Sequence, residues 1–326
     1  MQNFSINRLI SGGLITNYNC VSQCKHCLYA CSYKRDKSYI TAETSAIIFR
    51  KMKEMNCQSI HVGGGEPFMD IKGLEQLLFA AKKEGVVIEY VETNSSWYKT
   101  PKQAEDVLLK LKMAGLEMLL ISISPFHNEF IPFSKVKGVI KACNKVGIAI
   151  FPWTQEFYYD LVSLDDANVH SNDEFEAHFG STYFKQIPYR YWIHYGGRAL
   201  SFYEKTMSKT PLEQLLTSEP CNEILDTFHF HIDLYGNYIP GLCTGMSISL
   251  DDLGKPLDES QYRLLNQLVH KGLSAIYEIA GKEYGFIAKD MYINKCHLCS
   301  DIRKHIVLNG QVTSKELQPA EFYSHL

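Results

Sequence analysis

Five short apolar, β-prone stretches alternate with helix-patterned stretches across the first half of this chain. That alternation constrains its fold more than any other feature. Leu14–Asn19, Ser59–Val62, Val86–Thr93, Met118–Ser122 and Ile148–Trp153 read as strands. Between them, Thr41 caps a helix running to Met55, with Ala46, Ile47, Phe49 and Met52 as its apolar face. Ile71–Glu84 and Ser134–Val146 are helical in pattern and end at Gly85 and Gly147. Pro101–Ala114 opens on proline and ends at Gly115, the usual helix asymmetry. Tyr191–Tyr195 is a candidate sixth strand. Strands and helices at this spacing imply βαβ units around a parallel sheet. The fold class expected is α/β, a partial (β/α)6 TIM-like barrel followed by a small C-terminal α+β part.

Such barrels carry their sites at the C-terminal ends of the strands. Unusual residues should therefore follow strands, and they do. Cys20, Cys24 and Cys27 follow the first strand, and the run Gly63-Gly64-Gly65-Glu66-Pro67 follows the second. Glu92, Thr93 and Asn94 end the third, and Ser122 and Ser124 the fourth. Thr154–Pro188 is polar, aromatic and poorly periodic, longer than an ordinary loop, and reads as a lid or insertion. Beyond Leu200 the alternation stops. Asp226–Leu234, a turn at Tyr235-Gly236-Asn237 and Tyr238–Leu242 form a β-hairpin pattern. Helical stretches near Ser260–His270 and Leu273–Glu283 lead to Cys296-His-Leu-Cys299 and a last short helix.

The chain has 326 residues, 45% of them hydrophobic, enough for a sizeable core. Its formal charge of −3 gives no basic footprint for nucleic acid. No signal peptide opens it, and no run approaches the roughly 18 apolar residues of a membrane helix. A cytoplasmic protein is expected. Ten cysteines then point to metal ligands or catalytic groups rather than disulfides.

Three thiolates at Cys20, Cys24 and Cys27 leave one iron of a four-iron cluster open, where a substrate amine and carboxylate can chelate. Zinc competes for the same residues, although its hooks usually have two-residue gaps and here the gaps are three, then two. The run Cys20-x-x-x-Cys24-x-x-Cys27 after a first strand resembles the signature of the radical SAM superfamily. The run Gly63–Pro67 is similar to the glycine-rich motif that follows that family's second strand. The resemblance implies that a 4Fe–4S cluster binds and reductively cleaves S-adenosylmethionine (SAM), yielding a 5′-deoxyadenosyl radical that abstracts hydrogen from substrate. It also implies that the Gly63–Pro67 backbone and Glu66 receive the methionine amino group. Ser122 and Ser124 resemble positions that contact the methionine carboxylate or ribose, and Thr93 and Asn94 fall near the same ligand.

Cys221, Cys243, Cys296 and Cys299 suffice for a full cluster or a structural zinc. Gly196-Gly197-Arg198-Ala199, then Cys221, Gly236 and Cys243, is similar in order to radical SAM proteins with a SPASM or twitch extension. That resemblance implies one auxiliary 4Fe–4S cluster held by all four cysteines, and a division into residues 1–200 and 201–326. The long gap between Cys243 and Cys296 is the weak point of a single site. If Cys221 is not a ligand, it is a candidate hydrogen-atom donor.

Other residues carry two readings. Cys31 is either a thiol facing the site or a small packed residue. His127 and Glu129 either reach substrate and move protons or cap a loop. Arg198 either pairs with the SAM carboxylate or is a surface charge. Tyr189, Tyr191, Trp192 and Tyr195 are core or cavity wall, one of them available to stack on adenine. Cys57 and Cys143 are expected in the core.

The resemblance points first to a maturase of ribosomal peptides that epimerises residues or forms cross-links. The alternatives are a radical dehydrogenase or mutase on a small molecule, with the auxiliary cluster as electron acceptor, and a non-catalytic iron–sulfur or zinc module. The chain begins about a dozen residues before its first strand, so a leader-binding domain would be a separate protein. A low-potential electron donor such as flavodoxin or ferredoxin is implied.

Overall fold

A computed structural model describes residues 3–151, 155–190, 193–310 and 314–326. Five parallel strands, β1 (Gly12–Ile15), β2 (Ser59–Gly63), β3 (Val87–Thr93), β4 (Met118–Ile121) and β5 (Ala149–Phe151), lie side by side in sequence order. Helices α1 (Ala42–Glu54), α2 (Ile71–Glu84), α3 (Pro101–Ala114), α4 (Pro125–Asn128) and α5 (Phe133–Val146) connect the strands after β1. This is the expected mixed α/β architecture with a mostly parallel sheet. Thr41 caps α1 by accepting from Thr44 N–H at 3.0 Å, and Asp70 caps α2 through Gly73 N–H. Gly85 and Gly147 end α2 and α5 in the left-handed conformation.

Two local readings need correction. The buried face of α1 is Ser45, Ile48, Phe49 and Met52, while Ile47 is exposed. Positions 45, 48, 49 and 52 follow the i, i+3, i+4, i+7 stripe that a helix must present to a sheet, and 46–47 do not. The sixth strand is absent at 193–195, and residues 191 and 192 lie outside the described residues. After β5 come four helices instead: α6 (Gln155–Val162), α7 (Asn172–Phe179), α8 (Tyr183–Arg190) and α9 (Arg198–Tyr203). The polar 154–188 segment thus carries three short helices joined by turns, and Phe157, Leu161, Phe175, Phe184 and Ile187 supply its buried contacts.

The sheet gains its sixth parallel strand on the opposite side. After β6 (Thr210–Pro211) and α10 (Leu212–Leu216), strand β7 (Phe230–Asp233) pairs in parallel with β1. It continues antiparallel into β8 (Asn237–Ile239) and β9 (Ile248–Ser249). The sheet order is therefore β5-β4-β3-β2-β1-β7-β8-β9. Residue 200 falls within α9, and the predicted hairpin belongs to the barrel sheet. The buried Asp233 side chain closes its turn by accepting from the N–H groups of Tyr235 and Asn237, both at 2.9 Å. Helices α11 (Arg263–Lys271) and α12 (Leu273–Tyr284) follow, then β10 (Met291–Tyr292), which pairs with β6. The last helix, α13 (Lys295–Gly310), contains both cysteines of the Cys296–Cys299 hook in its first two turns. The hook does not precede a short helix; it opens one of 16 residues.

Candidate functional site

The C-terminal ends of β1–β4 surround a cavity of about 290 Å³. Cys20, Cys24 and Cys27 line it, together with Gly63–Pro67, Thr93, Asn94 and Ser122. Cys31, His127 and Arg198 also reach it. Ser124 does not. Its hydroxyl caps α4, accepting from His127 N–H, and lies 2.7 Å from His127 Nδ1.

The loop after β1 interlocks with the glycine run after β2. Gly65 N–H donates to Asn17 C=O at 2.7 Å, and Glu66 N–H to Asn19 C=O at 3.1 Å. Gly63 C=O accepts from both the N–H and the hydroxyl of Thr16. A Cβ on Gly65 would collide with the Asn19 carbonyl, so only glycine permits this approach. Arg198 fastens the cysteine loop from the other side. Its Nε donates to Cys24 C=O at 2.9 Å and its Nη2 to Cys31 C=O at 2.7 Å. Gly197, at φ 54°, packs against the carbonyls of Cys27 and Leu28. The Gly-Gly-Arg-Ala run is thus the clamp of the cysteine loop. Arg198 Nη1 remains buried without a partner.

Burial pushes the Cys20 thiol up to about 12, aided by the Glu66 carboxylate. Burial also raises Cys24 strongly, and Cys27 and Cys20 add to it. Cys27 moves the other way, because the Cys31 thiol hydrogen-bonds to it, and Cys31 is raised in return. Three converging thiols, two of them pushed up by burial and by their cysteine neighbours, suit a cationic metal centre, which binds them as thiolates and releases their protons. Asn94 Nδ2 donates to Cys20 Sγ at 3.3 Å, and Cys31 N–H to Cys27 Sγ at 3.4 Å.

Glu66 is buried. Its Oε1 accepts from Phe68 N–H (3.2 Å) and Thr93 Oγ1 (2.8 Å), and its Oε2 from Asn94 N–H (2.7 Å). It therefore ties the glycine turn to the end of β3. Burial still outweighs these donors and lifts its pKa to about 7. Glu92 lines the same cavity and is raised to about 7 by burial, then by Glu66 and Cys27. Sequence reading placed Glu92 at a strand end without a role. His127 is held near 4 by burial, so its ring is neutral at pH 7. Glu129 pairs with Lys25 at 3.1 Å and does not line the cavity. Tyr189 is 79% exposed, which corrects its expected place in the core or wall. Tyr191 and Trp192 lie outside the described residues. Tyr195 packs edge-on against Tyr203, and Cys57 and Cys143 are buried as expected.

Cys221, Cys243, Cys296 and Cys299 all line a second, neighbouring cavity, despite the long gap in sequence. Helices α11 and α12 fill that gap and return the chain to α13. Burial raises Cys243 strongly, and Cys221, Cys296 and Cys299 raise it further. The buried Arg303 donates to Thr244 C=O at 2.8 Å and Cys299 C=O at 3.3 Å, placing a cation beside them. His194 and Leu242 line both cavities. Sequence reading also missed His61, His229 and His231, which line the first cavity.

A parallel-sheet barrel with thiols, a glycine turn and buried carboxylates at its strand ends describes a cofactor-dependent α/β enzyme. Residues 14–151 match the family model of the radical SAM superfamily, so the chain carries a radical SAM domain. A 4Fe–4S cluster and SAM are the cofactors that such a domain implies. The chain is 25% identical over 130 residues to YydG of Bacillus subtilis (strain 168), whose name gives it a provisional role in peptide biosynthesis. That match spans 39% of each protein. Among solved structures, SuiB of Streptococcus suis bound to S-adenosylmethionine is similar at 15% identity and TM-score 0.41, covering 76% of this chain and 65% of that one. Native anSMEcpe with bound AdoMet is similar at 12% identity and TM-score 0.45, covering 91% and 97%. Among the described residues no helix is long and apolar enough to cross a membrane.

Proposed function

We propose that this chain is a radical SAM maturase that modifies a peptide substrate, as an epimerase or a former of cross-links. When bound, the cluster and SAM supply a 5′-deoxyadenosyl radical that removes a hydrogen atom from the substrate. Cys20, Cys24 and Cys27 hold the cluster. Gly63–Pro67 receive the methionine moiety, with Ser122 and the free Nη1 of Arg198 on the same wall. Glu66, Thr93 and Asn94 keep the glycine turn and Cys20 in register. The observation that carries this reading is the convergence of three thiols, two of them buried, and the glycine turn on one cavity. The peptide substrate is supported by the relationship to YydG. Residues 201–326 supply Cys221, Cys243, Cys296 and Cys299 for a second 4Fe–4S cluster, with Arg303 offsetting its negative charge. A low-potential flavodoxin or ferredoxin is the electron source.

The test is anaerobic reconstitution, reduction and addition of SAM, with 5′-deoxyadenosine assayed by chromatography. Nucleoside should form, and Cys24→Ala should abolish it. Intact clusters without nucleoside would overturn the reading. Incubation with the product of a small neighbouring reading frame should give a mass or chirality change in that peptide. Turnover confined to small molecules would remove the peptide assignment while leaving the radical chemistry in place.

A further inference from the structure

Gly13 of β1 sits in register with His61 of β2 on one side and with His231 of β7 on the other. Three adjacent parallel strands thus carry His, Gly and His at one level. With no side chain at Gly13, the two imidazoles meet above it, and their Nε2 atoms are 3.1 Å apart. A Cβ on Gly13 would lie 2.7 Å from two carbons of the His61 ring, so the glycine makes room for the pair. His229, in the bend just before β7, brings its ring against both of them. Ring centroids are 5.1 Å apart for His61 and His231, 5.2 Å for His229 and His231, and 5.6 Å for His61 and His229. One nitrogen from each ring lies within 4.8 Å of the other two.

We infer that His61, His229 and His231 form a binding site for a divalent transition metal, with Zn²⁺ the best fit, separate from both cysteine sets. Zinc–nitrogen bonds of about 2.0–2.1 Å in a tetrahedral shell place two ligand nitrogens roughly 3.3 Å apart, close to the observed spacing. His61 and His231 are both buried, which holds their rings in fixed positions. The His61 ring also engages the Gly12 backbone, and ligating histidines usually carry such an outer partner. A hydrogen-bonded pair of histidines accounts for His61 and His231. It does not account for the convergence of His229 on both of them. All three rings line the cavity that holds Cys20, Cys24 and Cys27. Three protein ligands leave a fourth position, available to water or to an oxygen of a bound substrate.

The holoprotein is reconstituted with iron and sulfide so that the cysteines are occupied, then equilibrated with ZnCl₂ and desalted. Zinc and iron are counted by mass spectrometry, and the zinc donor set is read by X-ray absorption. About one zinc per chain with a nitrogen/oxygen-only shell is expected. His229→Ala and His231→Ala should each weaken zinc retention at least about tenfold, with iron content unchanged. His229 is exposed, so its variant reports on the site even where His231→Ala fails to fold. No retained zinc, a shell containing sulfur, or a His229→Ala protein that keeps zinc as the parent does would each overturn the inference.

Discussion

Replacing Glu66 with Gln separates two effects of this buried carboxylate, because they respond differently to pH. The side chain accepts three hydrogen bonds, two on Oε1 and one on Oε2. Gln keeps one oxygen. If that oxygen stays with Phe68 and Thr93, the Asn94 N–H faces an amide donor and loses its acceptor. A buried group left unpaired costs about 1–3 kcal/mol. Against this, the wild-type carboxylate is raised from 4.5 to about 7 by burial. A carboxyl whose folded pKa lies above its unfolded value contributes stability that is fully present below the unfolded pKa and is lost as pH rises through the folded one. Between pH 5 and pH 8 that loss is about 2–3 kcal/mol in wild type and absent in Glu66→Gln. The variant should therefore be less stable by about 1–3 kcal/mol at pH 5, with the gap closing or reversing by pH 8. Urea unfolding of the metal-free, reduced proteins at both pH values measures it, since groups common to both cancel in the difference. Parallel pH profiles for the two proteins would refute the reasoning, for they would mean that Glu66 titrates normally in the fold.

Three further outcomes are expected. Cys299→Ala should lower bound iron from roughly eight to roughly four per chain, and unchanged iron would remove it as a ligand. Arg198→Ala should loosen the cysteine loop by removing its bonds to Cys24 and Cys31 C=O, costing about 1.5–3 kcal/mol for each charged bond. Iron should then leave faster under a chelator, and an unchanged release rate would count against the clamp. Gly65→Ala should abolish SAM binding or the fold itself, because its Cβ overlaps the Asn19 carbonyl; circular dichroism and equilibrium dialysis distinguish the two.

What was legible in the sequence was whatever local periodicity encodes. Ile71–Glu84 and Pro101–Ala114 appear residue for residue as α2 and α3, since their apolar stripe, opening residue and terminal glycine agree. The cysteine spacing and the glycine run were visible because their chemistry needs fixed spacings. The pairing of β7 with β1 was not, because no local pattern records which edge a distant strand joins. His61 and His231 are 170 residues apart and meet only through that pairing. The closeness of His229 and His231 in sequence was readable, but their partner was not. Ser124 was misplaced for a smaller reason. A polar residue at a strand end serves a helix cap as readily as a ligand, and here it caps α4.

The pairing of β1 with β7 also bears on how this protein can be taken apart. A piece spanning residues 3–151 keeps β1 to β5, yet without β7 the buried Gly12–Ile15 strand presents a bare row of amide and carbonyl groups along an apolar edge. Such edges recruit other chains. A truncated form should precipitate or self-associate, so any shortened version of this protein has to keep a strand beside β1 even if Cys243, Cys296 and Cys299 are dispensed with.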